Sequence, residues 1–373
     1  MRCMKLKRGM INSMKSNIKT GILTFNDTNN FGSLLQTYAL YKVVSEKYSG
    51  CEIVNYRCKE LYDREIPKPV TRLRSVRDIY RYIRYHSRQQ KKYSKLCSFA
   101  EKNMKISPVL DRNSISDYSA KYDMVMVGSD IVWGLDITGE DYTYFLDFCN
   151  VKKCAYASSF GSDYILSDDR REKAGELLKQ FDMIAVREED ACGIVEKLSG
   201  KKAETVLDPT LLLDSEAWKK HISPRREAKP YILTYFEDEK GVVKDTAVKL
   251  SEKLGLPVYN ISSGKPMKGV NNIAVYSLED FLSYIYYADL VVTASYHGMA
   301  FSVNFGKDFY YFNRCHKSRM DTLADLMGIK DRELFVGKDI DYSSMDHGAV
   351  DEKLEIWRKK SYDYLDRVFE YEK

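Results

Sequence analysis

Apolar residues recur along this chain in two rhythms. Short continuous apolar runs, of about four to eight residues, read as strands covered on both faces; apolar positions three and four apart read as amphipathic helices. The first run, 18–25, predicts a strand. A polar loop follows at 26–33, then a helix over 34–48 and a strand at 52–56. Beyond residue 105 the pattern predicts strands at 122–127, 154–158, 183–186 and 203–207, with helices at 169–181 and 189–198. A polar, basic connection at 213–229 separates these from a second series. That series holds strands at 231–235, 257–261, 289–294 and 308–312, helices at 242–254 and 277–287, and a helix that follows Ser295-Tyr296-His297-Gly298 and runs through Phe305. Gly255 closes the first of these helices, and Ser277 with Asp280 opens the second as a capping box using Asp for Glu. A long helix over 351–371 ends the chain. Strands alternating with helices predict parallel sheets, so the pattern implies an α/β protein of two domains.

The two domains are expected at 18–213 and 230–345, with a basic tail at 1–17 and a C-terminal helix at 349–373. Residues 57–105 interrupt the α/β rhythm and are expected to form an insertion, with an amphipathic basic helix at 77–97. Composition supports ordinary folded cores: 44% of the 373 residues are hydrophobic. No run reaches the ~20 apolar residues of a membrane-spanning helix, and the basic start has no apolar stretch of signal-peptide type. Eight cysteines lie scattered without a C-x-x-C pair, which suits buried thiols in a reducing cytoplasm.

Charge changes the picture. The formal net charge is +5, yet residues 1–19 carry +6 and residues 57–102 carry +9, leaving −10 for the remainder. The chain is a mildly acidic body with two basic attachments. A basic amphipathic helix suggests peripheral docking on an anionic membrane surface; a solvated helix packed on the body is the plainer reading. No nucleic-acid-binding module accompanies the patch, so no nucleic-acid partner is expected.

In parallel α/β folds ligands bind beyond the carboxyl ends of the strands. Asn29-Asn30-Phe31-Gly32-Ser33 occupies such a place, with Gln36 on the following turn; a glycine there lets the backbone approach a ligand, or simply makes a turn. Gly128-Ser129-Asp130 follows an apolar strand, where the acid can serve as a base or as a helix cap. Arg187 ends another strand and can clamp an anion or pair with Glu188 to Asp190. His297, one of five histidines, stands between Ser295 and Gly298 at a strand–helix junction, where a general acid or base is at home; a structural histidine is the plainer alternative. Asp339-Ile340-Asp341 has metal-ligand spacing but reads better as a solvated loop. The sequence contains no P-loop, no H-E-x-x-H and no G-x-S-x-G.

Together these segments resemble the polysaccharide pyruvyl transferase family. Asn30-Phe31-Gly32-Ser33-Leu34-Leu35-Gln36-Thr37-Tyr38-Ala39-Leu40 resembles its N-[YF]-G-x-x-L-Q-x-Y-A-L opening. Gly128-Ser129-Asp130-Ile131-Val132-Trp133 resembles G-S-D-x-V-W, and Val186-Arg187-Glu188 resembles V-R-E. Asp208-Pro209-Thr210-Leu211-Leu212-Leu213 resembles D-P-T-L-L-L, and Ser295-Tyr296-His297-Gly298 with Phe301-Ser302 resembles S-[FY]-H-G-x-x-F-S. The chain departs from the pattern at Ala294, Ile131 and Gly134, where many members carry Asp, Gln and Asn.

The resemblance implies two Rossmann-like domains facing a cleft, similar to GT-B glycosyltransferases, with the C-terminal helix returning to the N-terminal domain. It implies transfer of a pyruvyl group from phosphoenolpyruvate to a sugar of a polysaccharide or lipid-linked precursor, closed into a cyclic ketal. Such chemistry calls for an acid, a base and anion clamps, and for neither a redox cofactor nor an obligatory metal. His297, Arg187 and Asp130 are the implied catalytic residues. Ser295, Tyr296, Gly298, Ser302 and Arg319 are assigned to the donor pocket. Asn30, Gly32, Gln36, Gly128 and Ser129 are assigned to the acceptor side or cleft. The implied location is cytoplasmic, with peripheral contact at the inner membrane face. A GT-B-like glycosyltransferase using a nucleotide sugar is the alternative, since fold alone does not decide function.

Overall fold

The computed structural model describes residues 16–67, 79, 86–162, 164–235, 241–262, 266–313, 317–337 and 340–370. Two parallel sheets organise it. The first holds β1 (Ser16–Leu23), β2 (Ser49–Ile53), β3 (Met124–Val127), β4 (Lys152–Ser158), β5 (Met183–Val186) and β6 (Glu204–Thr205), in the order β2-β1-β3-β4-β5-β6. The second holds β7 (Ile232–Tyr235), β8 (Val258–Ile261), β9 (Asn271–Ile273), β10 (Leu290–Thr293) and β11 (Asp308–Tyr311), in the order β11-β10-β7-β8-β9. The strand pairings among these residues are parallel. The central strands are buried on both faces, which is why Met124-Val125-Met126-Val127 and Leu290-Val291-Val292-Thr293 read as unbroken apolar runs. The result is two Rossmann-like units facing one another in the GT-B manner.

Six helices position the cleft: α1 (Phe31–Val43), α2 (Ser87–Asn103), α3 (Leu278–Tyr287), α4 (Tyr296–Asn304), α5 (Lys317–Met327) and α6 (His347–Glu370). Helix α1 begins three residues earlier than periodicity suggested. Asn30 caps it, its side-chain oxygen accepting from the Gly32 amide at 2.8 Å, so Phe31, Gly32 and Ser33 are helical. The predicted continuation to Tyr48 is a π-helical turn at Val44–Tyr48. Strand β9 lies at an edge and is built from Asn-Asn-Ile, which no apolar pattern betrays; Asn260 reaches the Asn272 side chain at 3.0 Å to hold it.

The two units share one core. Leu35 of α1, Leu211, Phe281 of α3, Phe301 of α4 and Leu365 of α6 belong to a single buried apolar cluster. Phe31 stacks on Phe281 at 4.9 Å between ring centroids, and Trp218 bridges Tyr38 and Phe301. Asn304 donates to the carbonyls of Thr210 and Leu213, tying α4 to the short helix Pro209–Leu212. Helix α6 crosses back onto the first sheet. The Tyr364 hydroxyl donates to Ala155 O of β4 at 2.8 Å, the Leu207 amide donates to Ser361 Oγ, and Phe369 stacks on Tyr48.

The tail at 1–15 and most of 68–85 lie outside the described residues, so the predicted basic helix is seen only from Ser87 onward. Its apolar side, Leu96, Phe99 and Ala100, is buried against the body. The Tyr93 hydroxyl donates to Asp27 at 2.5 Å, Gln89 accepts from Asn29, and the Lys92 ammonium rests 4.1 Å from the Phe31 ring centre. The described part therefore seats on the loop after β1 and keeps no apolar face free. Among the described residues no helix is long and apolar enough to cross a membrane. None of the six described cysteines forms a disulfide with another. Asp339 lies outside the described residues, while Asp341 pairs with Lys253 on the surface.

The inter-domain connection carries a pH-sensitive contact. His221 Nε2 meets the Tyr38 hydroxyl at 2.8 Å. Burial, aided by Lys220, Lys42 and Lys102, pulls the His221 pKa down from 6.5 to about 4. The unfolded chain takes up this proton first as pH falls, so stability declines between pH 6.5 and about 4 and is unaffected by this group above that window. Urea unfolding at a series of pH values is expected to show the His221→Gln variant losing less stability than wild type across that window. Equal slopes would remove His221 as a contributor.

Candidate active site

Strand ends from both sheets converge where the amino ends of α1 and α4 meet. Gly32 on the first turn of α1 lies against the His297 imidazole on the first turn of α4. A Cβ added at Gly32 would stand 2.0 Å from His297 Nδ1, so only glycine permits this approach. Ser295 caps α4, its hydroxyl accepting from Gly298 N at 3.4 Å, and a Cβ on Gly298 would meet Thr293 Oγ1 at 2.5 Å.

Beneath the histidine lies a buried ionic cluster. Arg187, at the end of β5, donates through Nε to Glu188 Oε1 at 2.9 Å and through Nη1 to Asp208 Oδ2 at 3.1 Å. Its guanidinium also sits 4.9 Å from the Tyr296 ring centre. Asp208 follows β6 and is fully buried. Its Oδ1 accepts from the Thr210 amide and hydroxyl, while Oδ2 also accepts from Ser129 Oγ at 3.0 Å. His297 Nε2 lies 4.0 Å from that same Oδ2. Burial favours neutral Asp208, but His297, Arg187 and the Thr210 hydrogen bonds outweigh it and hold the carboxyl below its usual range. Burial weakens the Arg187 charge, yet Glu188 and Asp208 raise its pKa overall. Burial also holds the His297 imidazole below its usual pKa, against the pull of Asp208 and Asp130.

Asp130 stands at the mouth of this cluster. Its φ of 82° is a left-handed conformation that costs a non-glycine residue of order 1 kcal/mol or more, and such strain gathers at functional sites. Ser33 Oγ donates to one carboxylate oxygen at 2.6 Å and the Ile131 amide to the other at 2.9 Å. Among the described residues, Arg187 Nη2, Arg319 Nε and His297 Nε2 are buried without a hydrogen-bond partner. Unpaired buried donors of this kind are rare in folded proteins. Burial, with Arg187 nearby, lowers the Arg319 pKa, but a guanidinium stays charged at neutral pH.

The sequence candidates thus fall into two groups. His297, Arg187, Asp130, Ser129, Gly32 and Tyr296 are within one cluster, and Arg319 on α5 couples electrostatically to Arg187, Glu188 and Asp130. Gln36 and Ser302 are fully buried behind it. Gln36 Nε2 donates to Thr24 Oγ1, which in turn donates to Ser129 O, so this amide props the Gly128-Ser129 turn from behind. Ser302 bonds back to Gly298 O within its helix. Asn30 is exposed and used as a cap. Gly128 packs on Leu40 and Thr24. Asp208 and Glu188 were not among the sequence candidates. Asp208-Pro209 reads as an ordinary helix start, which it also is, and that role masks the second one. Among the described residues no group of three or more His, Cys, Asp or Glu is placed to hold a metal.

The two arginines should differ in what they support. Removing Arg187 leaves Asp208 and Glu188 as buried charges without their partner, a loss of about 3–5 kcal/mol. Arg319 makes no ion pair among the described residues, so Arg319→Leu should change stability by no more than about 1 kcal/mol. Urea unfolding of Arg187→Leu and Arg319→Leu checks this contrast, and equal losses would contradict it.

Among solved structures, UDP-GlcNAc 2-epimerase from Methanocaldococcus jannaschii aligns at TM-score 0.49 and 11% identity, covering 96% of this chain and 100% of that one. UDP-GlcNAc 2-epimerase from Neisseria meningitidis aligns at TM-score 0.48 and 10% identity, covering 93% and 92%. These likenesses are too distant to bear on function. No curated protein matches the sequence. The family model described as polysaccharide pyruvyl transferase matches residues 30–316, a span that includes β2 to β11 and the Gly32, Asp130, Arg187, Asp208 and His297 segments. The chain belongs to the polysaccharide pyruvyl transferase family.

Proposed function

We propose that this protein transfers the pyruvyl group of phosphoenolpyruvate to two neighbouring hydroxyls of a glycan, forming a cyclic ketal and releasing phosphate. The observation that carries the reading is the pair of buried, unpartnered guanidinium nitrogens, Arg187 Nη2 and Arg319 Nε. A small ligand bearing phosphate and carboxylate would satisfy both with charge-assisted hydrogen bonds. The amino ends of α1 and α4 meet at the same place, and both favour an anion.

The reaction needs a proton delivered to the methylene carbon of the donor, which makes C2 electrophilic. One glycan hydroxyl then adds to C2, the C2–O bond to phosphate breaks, and the second hydroxyl closes the ketal. Of the two hydroxyl protons, one replaces that given to the methyl group and one leaves with phosphate. His297 is the group suited to deliver the proton, since burial keeps it neutral until an anionic ligand arrives. Asp130 is suited to orient or deprotonate an acceptor hydroxyl, held ready by Ser33 and the Ile131 amide. A lipid-linked acceptor would meet the exposed Arg88, Lys91 and Lys95 of α2, which can attract anionic headgroups by charge but not insert.

Incubation with phosphoenolpyruvate and a panel of free and lipid-linked glycans should release phosphate and add a pyruvyl mass to one acceptor. His297→Ala should lower turnover by about 100- to 10,000-fold. Turnover near that of wild type would exclude His297 from the chemistry. Consumption of a nucleotide sugar in place of phosphoenolpyruvate would replace this reading with glycosyl transfer.

A further inference from the structure

We infer that Asp208 fixes the tautomer of His297, with the proton on Nε2, so that Nδ1 is the nitrogen that meets the substrate. The inference rests on the pyruvyl-transfer reading for its catalytic consequence and on geometry alone for the tautomer. His297 Nε2 is sealed from solvent and has no hydrogen-bond partner, and it lies 4.0 Å from Asp208 Oδ2. Nδ1 is the ring nitrogen nearest Gly32, makes no hydrogen bond given among the described residues, and is not one of the sealed unpartnered atoms. One nitrogen therefore looks inward to a carboxylate and the other toward the gap between the two helix ends.

Asp208 cannot turn away. Two hydrogen bonds from Thr210, at 3.0 and 2.7 Å, hold Oδ1, and Ser129 Oγ and Arg187 Nη1 locate Oδ2. A carboxylate oxygen facing a bare imidazole nitrogen is repelled by its lone pair; facing an N–H it is attracted, and a buried setting enlarges the difference. The groups acting on the ring are Asp208 and Asp130 on one side of the balance and Arg187 and Arg319 on the other. Arg187 Nη2 is the competitor, because as an unpartnered donor it could instead serve the Nε2 lone pair. No hydrogen bond joins the two, since both Arg187 Nη2 and His297 Nε2 are without a partner among the described residues, while Asp208 Oδ2 lies 4.0 Å from Nε2.

The consequence is a division of labour. Nδ1 carries a lone pair in the resting state, takes a proton as the anionic donor binds, and returns it to the methylene carbon. Asp208 stabilises the imidazolium that exists between those steps and keeps its own proton off. It acts through His297, as a positioning residue. Because Asp208 follows the last strand of the first sheet and His297 opens the helix after β10 of the second, the pair forms only when the two units are together.

Histidine-selective ¹⁵N labelling of the full-length, substrate-free protein tests this, with His297→Gln assigning the signal. Two-bond ¹H–¹⁵N correlations should show a neutral His297 with a protonated Nε2 and a bare Nδ1. In Asp208→Asn, Thr210 holds the amide oxygen, the NH₂ faces His297, and the proton should move to Nδ1. That variant should lose about 10- to 1,000-fold in kcat, with the KM for phosphoenolpyruvate changed less than about 3-fold. A protonated Nδ1 in wild type, or an unchanged tautomer and kcat in Asp208→Asn, would overturn the inference. Wild-type protein with the expected tautomer but no turnover of phosphoenolpyruvate would overturn the donor reading and leave the tautomer assignment standing.

Discussion

The buried contact between Arg187 and Asp208 is the constraint around which the site is arranged. Two ions taken out of water carry a desolvation cost of several kcal/mol each, and their mutual attraction seldom yields a large net gain. This pair is held by supplementary bonds: Glu188 on Nε, Ser129 on Oδ2, and Thr210 twice on Oδ1. What it confers is position. It fixes the ends of β5 and β6 and the Gly128-Ser129 turn after β3 to one another at a single point. Burial holds the neighbouring His297 imidazole below its usual pKa against the pull of Asp208, and Arg187 Nη2 is left without a hydrogen-bond partner among the described residues.

The cost of that polar cluster is offset by the apolar core that encloses it. Trp218, fully buried, donates its indole N–H to Thr210 O, so the residue that anchors Asp208 is itself anchored. Asn304 donates to the same carbonyl and to Leu213 O, and Arg358 of α6 donates to Leu211 O and Asn304 Oδ1. The short helix Pro209–Leu212 is therefore gripped by both domains and by the C-terminal helix. Through it, the packing of α6 reaches the carboxylate beside His297. The core that joins the two units also sets the spacing between Asp208 and His297, so stability and chemistry share one set of contacts.

Much of this was legible in the sequence, for a physical reason. Parallel strands buried on both faces leave unbroken apolar runs, and most strands were found within a few residues. The failures are equally physical. Helix α1 was placed late because its first turn is Phe-Gly-Ser, and glycine and serine mark loops unless an Asn cap captures them. Strand β9 was missed because amide ladders, not apolar side chains, hold it. Gln36 was placed at the cleft because an amide on a first turn looks available; a periodicity argument could not tell that it faces Thr24. Asp208 carried a signal with two meanings, a helix cap and an ionic partner, and only the fold brings Arg187 and His297 to it.

The departures from the family pattern at 131 and 134 are linked through space. Ile131 Cγ2 lies 2.5 Å from where a Cβ on Gly134 would be, and 2.4 Å from one on Gly161. A β-branched side chain directly after Asp130 therefore requires that the residue three positions on have no Cβ. Replacing Gln by Ile and Asn by Gly is one packing change made at two positions. It sits immediately beside the strained Asp130, whose carboxylate is oriented by the Ile131 amide. An amide pair there would offer hydrogen bonds next to the acid; Ile131 with Gly134 offers an apolar methyl surface instead. The ionic cluster of Arg187, Asp208 and His297 is untouched by this exchange. This linked pair of departures thus lies on the outer side of Asp130, whereas the third, Ala294, stands directly before Ser295 and removes a carboxylate near His297.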